Sequence, residues 1–216
     1  MTESVSSRRR ARERQQIRQR ILDAARELFA AEGYDAVTMR RVAEAIEYTP
    51  PVIYQHFPDK ATLIREIVVE DFRALAHAFQ AVARIPDPVE RLRKLADSYV
   101  EFGLAYPNHY RLMFMTPRPA GVDWAEQLVD PEAKGNPELD AYAFLRKCVD
   151  DVWNQGRFAE HLTDPELIAQ ALWSAVHGVV SLHIVTCDHP GVDWRDPRRT
   201  AAALCEAALS GMLRKG

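Results

Sequence analysis

Apolar positions along the chain recur at the three-to-four-residue spacing of an α-helix. In residues 12–32, for example, the apolar residues fall on one helical face, and Gly33 follows where a glycine commonly ends a helix. No segment shows the convincing alternation of a β-strand. The pattern therefore predicts an all-α protein of about nine helices, at residues 12–32, 38–45, 50–56, 60–84, 89–105, 107–115, 137–155, 164–185 and 198–213.

Capping residues and prolines mark where these helices begin and break. Thr38 is placed to cap the second helix and Thr49 the third. The third helix carries Pro50 and Pro51 in its first turn, where a missing N–H has no helical partner to lose. Residues 116–136 contain several prolines and charges and form the longest predicted loop.

Composition is that of an ordinary globular protein. The 216 residues are 47% hydrophobic and 27% charged, and the three cysteines are too few and too widely spaced for a disulfide framework. Residues 6–20 are arginine-rich where a signal peptide would be apolar, and the apolar stretch 167–186 contains five polar residues. We therefore expect a cytoplasmic protein with no membrane partner.

Charge is distributed unevenly along the chain, although the net charge is only −3. Residues 1–60 hold 11 basic and 9 acidic groups, whereas the rest hold 17 and 22. A basic end on an acidic body suggests that the N-terminal end meets a polyanion, although a solvated tail has the same composition. Four arginines are predicted to form a basic arm ahead of the first helix, either following a DNA minor groove or as a disordered solubilising tail: Arg8, Arg9, Arg10 and Arg12.

Three helices precede residue 60, and the second and third are joined by a tight turn, which is typical of a helix-turn-helix. Such a motif needs a short helix that enters the major groove, polar or small residues on its outer face, and phosphate-binding groups on either side. Residues 38–60 contain these residue types. We therefore predict a DNA-binding domain at residues 1–60 and a second domain at residues 61–216.

Several short sequences in this region resemble the N-terminal domain of the tetracycline-repressor (TetR) family. The resemblance is collinear over about 45 residues and requires many residue types at fixed spacing. The matching sequences are ILDAARELF at 21–29, EGY at 32–34, VTMR at 37–40, VA at 42–43 and IYQHFPDK at 53–60.

The resemblance implies a set of residues in contact with a double-stranded DNA operator. Arg40 falls where the family places a side chain on a base edge, Tyr54 and His56 where rings press on the sugar-phosphate backbone, and Thr38 and Lys60 beside phosphates. Taken alone, Tyr54 and His56 also suit a small core, and we expect Phe57 to be buried there. The full predicted DNA-binding set is Thr38, Arg40, Arg41, Thr49, Pro50, Pro51, Tyr54, Gln55, His56 and Lys60.

One departure from the family pattern lies in the turn between the second and third helices. This chain has Glu47 where the family usually has glycine, and a glutamate in left-handed geometry costs roughly 1 kcal/mol. We expect an altered turn or a loss of non-specific DNA affinity.

The C-terminal part resembles the effector-binding domain named after its Trp-His-Gly motif, through Trp173, His177, Gly178 and the sequence at 106–114. Trp173 and His177 share a helical face, and His177 is the candidate polar anchor. Aromatic residues at helical spacing also suit a core, so each candidate has that alternative. The predicted pocket for a small apolar or aromatic effector comprises Tyr99, Phe102, Tyr110, Met113, Phe114, Phe144, Cys148, Trp153, Trp173 and His177.

The last two predicted helices are apolar on more than one side, so they need cover from a second copy of the chain. A homodimer would also read both halves of a palindrome. No catalytic motif is present, and His183, Cys187 and His189 match no closed zinc pattern, so we predict no enzyme activity, cofactor or metal. The sequence thus predicts a dimeric, effector-released repressor, with an activator, an effector-independent regulator and, more remotely, a helical carrier or enzyme as alternatives.

Overall fold

A computed structural model describes residues 5–116 and 133–214, and this part of the chain is helical with no strand. Phe158 and Leu213 form an isolated β-bridge. The predicted all-α fold is confirmed. The described α-helices are α1 (Val5–Glu32), α2 (Met39–Ala45), α3 (Pro50–Tyr54), α4 (Lys60–Phe79), α5 (Pro88–Ala105), α6 (Pro107–Phe114), α7 (Ala141–Asn154), α8 (Pro165–Thr186) and α9 (Pro197–Met212), with a 3₁₀ turn at Gln80–Val82 after α4.

Three predicted helix boundaries were wrong. Helix α1 begins at Val5, so the four arginines expected in an arm lie within its first turns. Helix α4 stops at Phe79, before the predicted residue 84, where the backbone tightens into the 3₁₀ turn. Helix α7 begins only after Asp140, because that carboxylate accepts hydrogen bonds from the N–H groups of Tyr142 and Ala143 and so caps the helix there. Most of the predicted 116–136 loop lies outside the described residues.

The described chain forms two compact units. The N-terminal unit contains residues 5–71 and 108–116, and the C-terminal unit contains residues 72–107 and 133–214. The chain passes from one unit to the other between Asp71 and Phe72, within α4.

The N-terminal unit has a small apolar core that includes Phe29, Ile53 and Phe57. Phe57 is fully buried, as expected. A buried ion pair crosses this core, with Arg26 Nη2 on α1 lying 3.0 Å from Asp71 Oδ1 on α4. His109 Nδ1 on α6 lies 2.8 Å from the same carboxylate oxygen. These contacts connect α1, α4 and α6 within the unit.

The C-terminal unit is a helical bundle in which α5 packs against α7, α8 and α9. Helix α8 buries Ile168, Leu172, Val176 and Val180 on its inner face. By length and composition α8 is the one described helix that is apolar enough to cross a membrane, and one of its faces packs against α5, α7 and α9 in this bundle.

Candidate functional site

Helix α2 begins at the predicted cap. The Thr38 hydroxyl oxygen accepts a hydrogen bond from the N–H of Arg41 at 3.1 Å, and the extended backbone of Thr38 turns the chain into the helix. Val42 and Ala43 are buried beneath it. This anchoring leaves Thr38, Arg40 and Arg41 exposed on the outer side.

Helix α3 has one buried anchor and an outward face. Ile53 is fully buried, whereas Tyr54 is 53% exposed and Gln55 is exposed. Pro51 is also exposed, and Pro50 is partly so. The structure therefore places Tyr54 outside the core, which removes the core alternative for its ring.

Thr49 occupies the N-cap position of α3, as predicted, with an extended backbone. Its exposed hydroxyl makes no capping hydrogen bond within the described chain, so the expected side-chain cap is missing. The two prolines that follow have no N–H to offer such a hydroxyl. The next N–H, that of Val52, donates to the carbonyl of Thr49 at 3.0 Å instead of to its hydroxyl.

The turn between α2 and α3 keeps left-handed geometry at Glu47, which has a φ of 62°. The turn is therefore not altered as one alternative expected, and the other alternative, a loss of non-specific DNA affinity, stays a prediction. The N–H of Tyr48 donates to the carbonyl of Ala43 at 2.9 Å and closes the turn. Arg20 on α1 also holds it, since one guanidinium nitrogen donates to the carbonyl of Ile46 at 3.0 Å and its carbon lies 5.3 Å from the centroid of the Tyr48 ring.

Arg40 and Arg41 form exposed ion pairs. Arg40, with 80% of its side chain exposed, lies 2.9 Å from Glu44, and Arg41 lies 3.5 Å from Glu32. Exposed pairs contribute little free energy, about 0.2–1 kcal/mol. Both guanidinium groups can therefore leave their carboxylate partners at little cost in free energy and bind a phosphate or a base edge instead.

His56 and Lys60 lie near the end of α3 but differ in surroundings. Burial, followed by the charges of Arg14 and Arg18, lowers the pKa of His56 below its usual value, so the free protein holds a neutral ring near pH 7. The Lys60 ammonium donates to the carbonyls of Tyr34 and Val37 at 2.8 and 3.0 Å. The first role of Lys60 is thus to join α4 to the loop before α2.

Sequence analysis did not identify Arg18, a residue of α1 that lies close to the end of α3. Arg18 lies with its guanidinium carbon 5.1 Å from the centroid of the Phe57 ring and pairs with Glu66 and Glu70 on α4. Periodicity places Arg18 on the inner face of α1. It does not identify the ring or the carboxylates that this arginine meets, because those belong to residues about 40 to 50 positions away.

In the C-terminal unit, hydrogen bonds join three of the predicted pocket residues. The indole N–H of Trp173 donates to the hydroxyl of Tyr99 at 3.1 Å, and that hydroxyl lies 3.1 Å from Nδ1 of His177. Burial lowers the pKa of His177, which favours the neutral ring. A neutral His177 that accepts the Tyr99 proton at Nδ1 and carries its own on Nε2 satisfies all three groups.

The other pocket candidates are placed differently. Phe102, Phe144 and Trp153 contact rings outside the predicted set, namely Tyr106, Phe79 and Phe158. Cys148 is fully buried, and burial raises the pKa of its thiol to about 11. Three candidates, Tyr110, Met113 and Phe114, belong to the N-terminal unit. Tyr110 and Met113 are buried there, and the Tyr110 ring packs at a tilt against the Phe114 ring, with 4.9 Å between centroids. Tyr142, which sequence analysis missed, packs 5.9 Å from the Trp173 ring.

An exposed short helix, held by a buried residue and preceded by a capped helix and a tight turn, defines a helix-turn-helix DNA-binding protein. A family model described as "Bacterial regulatory proteins, tetR family" matches residues 21–67. A second, "Tetracyclin repressor-like, C-terminal domain", matches residues 92–208, more than half of the chain. The chain belongs to the TetR family of transcriptional regulators, which are not enzymes.

Curated relatives match over part of their length. The HTH-type transcriptional regulator UidR of Escherichia coli K12 is 35% identical over 78 residues, which cover 36% of this chain and 37% of UidR. The repressor Rv1474c of Mycobacterium tuberculosis is 42% identical over 27% of this chain and 32% of its own. The activator FasR of Mycolicibacterium smegmatis is 31% identical over 47% of each chain. The chain thus spans less than half the length of each of these relatives.

Solved structures share the fold across most of the chain. The fatty acid degradation regulator FadR of Bacillus halodurans has a TM-score of 0.74 at 17% identity, covering 90% of this chain and 95% of that one. A TetR-family regulatory protein from Rhodococcus RHA1 has a TM-score of 0.66 at 24% identity, with coverage of 90% and 95%. At these identities the likeness concerns the fold alone.

Proposed function

We propose that this chain is a cytoplasmic, homodimeric repressor that binds a palindromic operator and is released by a small apolar or aromatic effector. The observation that carries the proposal is the outward face of α3 and α2. Tyr54 and Gln55 are exposed beside a buried Ile53, and Arg40 lies on the adjoining helix. Side chains of these types contact phosphates and base edges when such a helix lies in the major groove.

A gel-shift titration on the DNA upstream of the chain's own gene tests operator binding. We expect tight, salt-sensitive binding that the double substitution Arg40→Ala with Tyr54→Ala weakens at least 10-fold, since one base contact is worth about 1–3 kcal/mol. The control is Arg199→Ala with Tyr106→Ala, which removes an exposed arginine and an exposed tyrosine from the C-terminal unit. Equal binding by both double variants would overturn the assignment of this face.

Dimerisation is supported by an uncovered apolar stripe on α8. Leu167, Leu182 and Val185 are 60%, 54% and 62% exposed, and with Ala171 and Gly178 they follow one outward face at helical spacing. Exposed Ala203, Ala207 and Gly211 form a similar face of small residues on α9. Two such helix pairs from two chains would form the four-helix interface that joins the heads for a palindrome.

The effector is proposed to bind beside Trp173, Tyr99 and His177. These side chains combine aromatic rings with a few hydrogen-bonding groups, the pattern of a site for small apolar or aromatic molecules. Effector binding would favour a conformation with lower operator affinity, and its effect is bounded by its differential affinity for the two states. Trp173→Ala should lower effector affinity and leave operator binding intact, which a thermal-shift screen followed by a gel shift would measure.

Activation is the second candidate function. It is favoured by the relative FasR, named an activator, which aligns over a larger share of this chain than the repressor Rv1474c does. A reporter gene behind the bound upstream region distinguishes the two. Deleting the regulator raises expression from a repressed promoter and lowers it from an activated one.

A further inference from the structure

We infer that the first turns of α1 form a rigid phosphate-binding surface, made of Arg10 and Arg14 and here named the α1 basic face, which extends the DNA interface beyond the end of α3. The occupant is the DNA backbone next to the phosphates at His56. This inference rests on the proposed DNA-binding face and specifies its electrostatic part.

Helix α1 holds its arginines at fixed angles around its axis, because it is helical from Val5 onward. Arg10, Arg14 and Arg18 are spaced four residues apart, so they form one row along the helix, about 6 Å apart along its axis. Arg8 and Arg12 precede Arg10 and Arg14 by two residues each, and so lie roughly 200° around the helix from them. Arg10, Arg14 and Arg18 therefore lie on one side of the helix, and Arg8 and Arg12 lie on the opposite side.

The inner end of this row of arginines lies near the end of α3. Arg18 stacks on Phe57, the neighbour of His56, at the exit of α3. Arg14 lies one helical turn further out in the same row, and its charge also lowers the pKa of His56. Arg10 continues the same row away from the core.

The arginines of α1 differ in whether a carboxylate already neutralises them. Arg18 is already paired with Glu66 and Glu70, and Arg9 with Glu13. Arg10 and Arg14 are exposed and form no ion pair with another described residue. Two unneutralised arginines beside a proposed phosphate contact favour a polyanion as the occupant.

The test measures the salt dependence of binding to a mixed-sequence duplex, because phosphate contacts need no operator. Each phosphate contact contributes about 0.9 to the slope of log K against log salt concentration. Arg10→Ala with Arg14→Ala should therefore reduce the slope by about 1.8 per bound protomer. Between about 50 and 200 mM salt, wild type should lose about 12-fold more affinity per protomer than this variant.

Arg8→Ala with Arg12→Ala is the matched control, with the same charge change on the opposite face of the same helix. It should leave the slope unchanged, and Arg10→Lys with Arg14→Lys should retain the wild-type slope, since a phosphate needs only a positive charge. Equal losses from both alanine pairs would indicate a flexible arm and overturn the inference, as would no loss from either.

Failure of the inference is distinguishable from failure of the proposed function. Suppose that Arg10→Ala with Arg14→Ala lowers the salt slope on the mixed-sequence duplex more than Arg8→Ala with Arg12→Ala does, and that the DNA upstream of the chain's own gene is not bound specifically. The repressor proposal then fails, and the α1 basic face stands. If specific binding is present but the alanine pairs do not differ, only the α1 basic face fails.

Discussion

Arg20 donates a hydrogen bond to the carbonyl oxygen of Ile46 at 3.0 Å, and so holds the residue that precedes the left-handed Glu47. The same guanidinium group lies against the Tyr48 ring on the other side of the turn. Contacts from α1 on both sides of the strained residue help to retain its geometry, and so the course of the chain into α3.

Replacing Glu47 by glycine should stabilise the protein. Left-handed geometry costs a non-glycine residue about 1–2 kcal/mol, and the greater freedom of glycine in the unfolded chain offsets part of that gain. We expect the free energy of unfolding, measured in urea, to rise by about 0.5–1 kcal/mol. Glu47→Gln, which removes the charge and keeps the side chain, should leave stability unchanged; a similar gain from it would show that charge and not backbone strain is responsible.

The buried pair Arg26–Asp71 should be the most sensitive ion pair in the N-terminal unit. Asp71→Asn removes the buried countercharge of Arg26 and leaves it only an exposed carboxylate, and breaking a buried ion pair typically costs about 3–5 kcal/mol of stability. Asp23 contacts the same arginine at 2.9 Å but is largely exposed, so Asp23→Asn should cost less than about 1 kcal/mol. Urea denaturation of both variants measures the difference, and equal costs would contradict this account.

Operator affinity should rise as the pH falls below about 7 because of His56. Burial, Arg14 and Arg18 lower its pKa in the free protein, whereas a nearby phosphate favours the protonated ring and raises its pKa in the complex. Binding then takes up a proton, so affinity grows as the pH falls through the pKa of the complex and levels off below the lowered pKa of the free protein.

Fluorescence-anisotropy titrations between about pH 5.5 and 8 measure this effect across the unperturbed range of histidine. His56→Gln should flatten the profile, and His161→Gln, which removes an exposed histidine of the C-terminal unit, should not. A wild-type affinity independent of pH would show that His56 does not meet a phosphate.

Dimer formation should depend on the exposed stripe of α8. Leu182→Glu places a charge on this apolar face, and burying an unpaired charge at an interface costs several kcal/mol. Sedimentation velocity should then show monomers at concentrations where wild type is dimeric. Leu139→Glu, at a similarly exposed leucine away from the stripe, is the control; monomers from both variants or from neither would contradict the interface.

The Trp173–Tyr99–His177 hydrogen bonds should stabilise the C-terminal unit. Tyr99→Phe keeps the buried ring and removes the hydroxyl that contacts both partners, so we expect a loss of about 1–3 kcal/mol by chemical denaturation. Tyr106→Phe, at an exposed tyrosine, should change stability by less than about 0.5 kcal/mol. No loss from Tyr99→Phe would show that these contacts are energetically neutral.

Local signals were sufficient for much of the fold. Thr38 caps α2 through its own side chain, and Gly33 ends α1 with a φ of 81°, both of which follow from rules that span a few residues. The start of α7 could not be predicted from local rules, because both Pro137 and Asp140 suit the beginning of a helix. In the structure the N–H of Asp140 donates to the carbonyl of Asn136 in a turn, and the helix begins after Asp140.

The candidate site was less accessible to sequence analysis because its geometry depends on long-range contacts. The sequence allowed Tyr54 to lie either in the core or on the surface. In the structure Ile53 and Phe57 are fully buried and Tyr54 is exposed. Lys60 was assigned to a phosphate, yet its ammonium binds two carbonyls more than 20 residues earlier in the chain. The hydrogen bond from Arg20 to Ile46 could not be predicted either, because it is accepted by a backbone carbonyl, which every residue has.

Glu47 also has a consequence for laboratory evolution. Glutamate and glycine codons differ by a single base, so the substitution that relieves the left-handed residue is present in any error-prone library of this gene. A selection for heat tolerance should return it repeatedly and independently, whatever DNA the regulator recognises. Its recurrence among survivors would locate the strained turn without any purified protein.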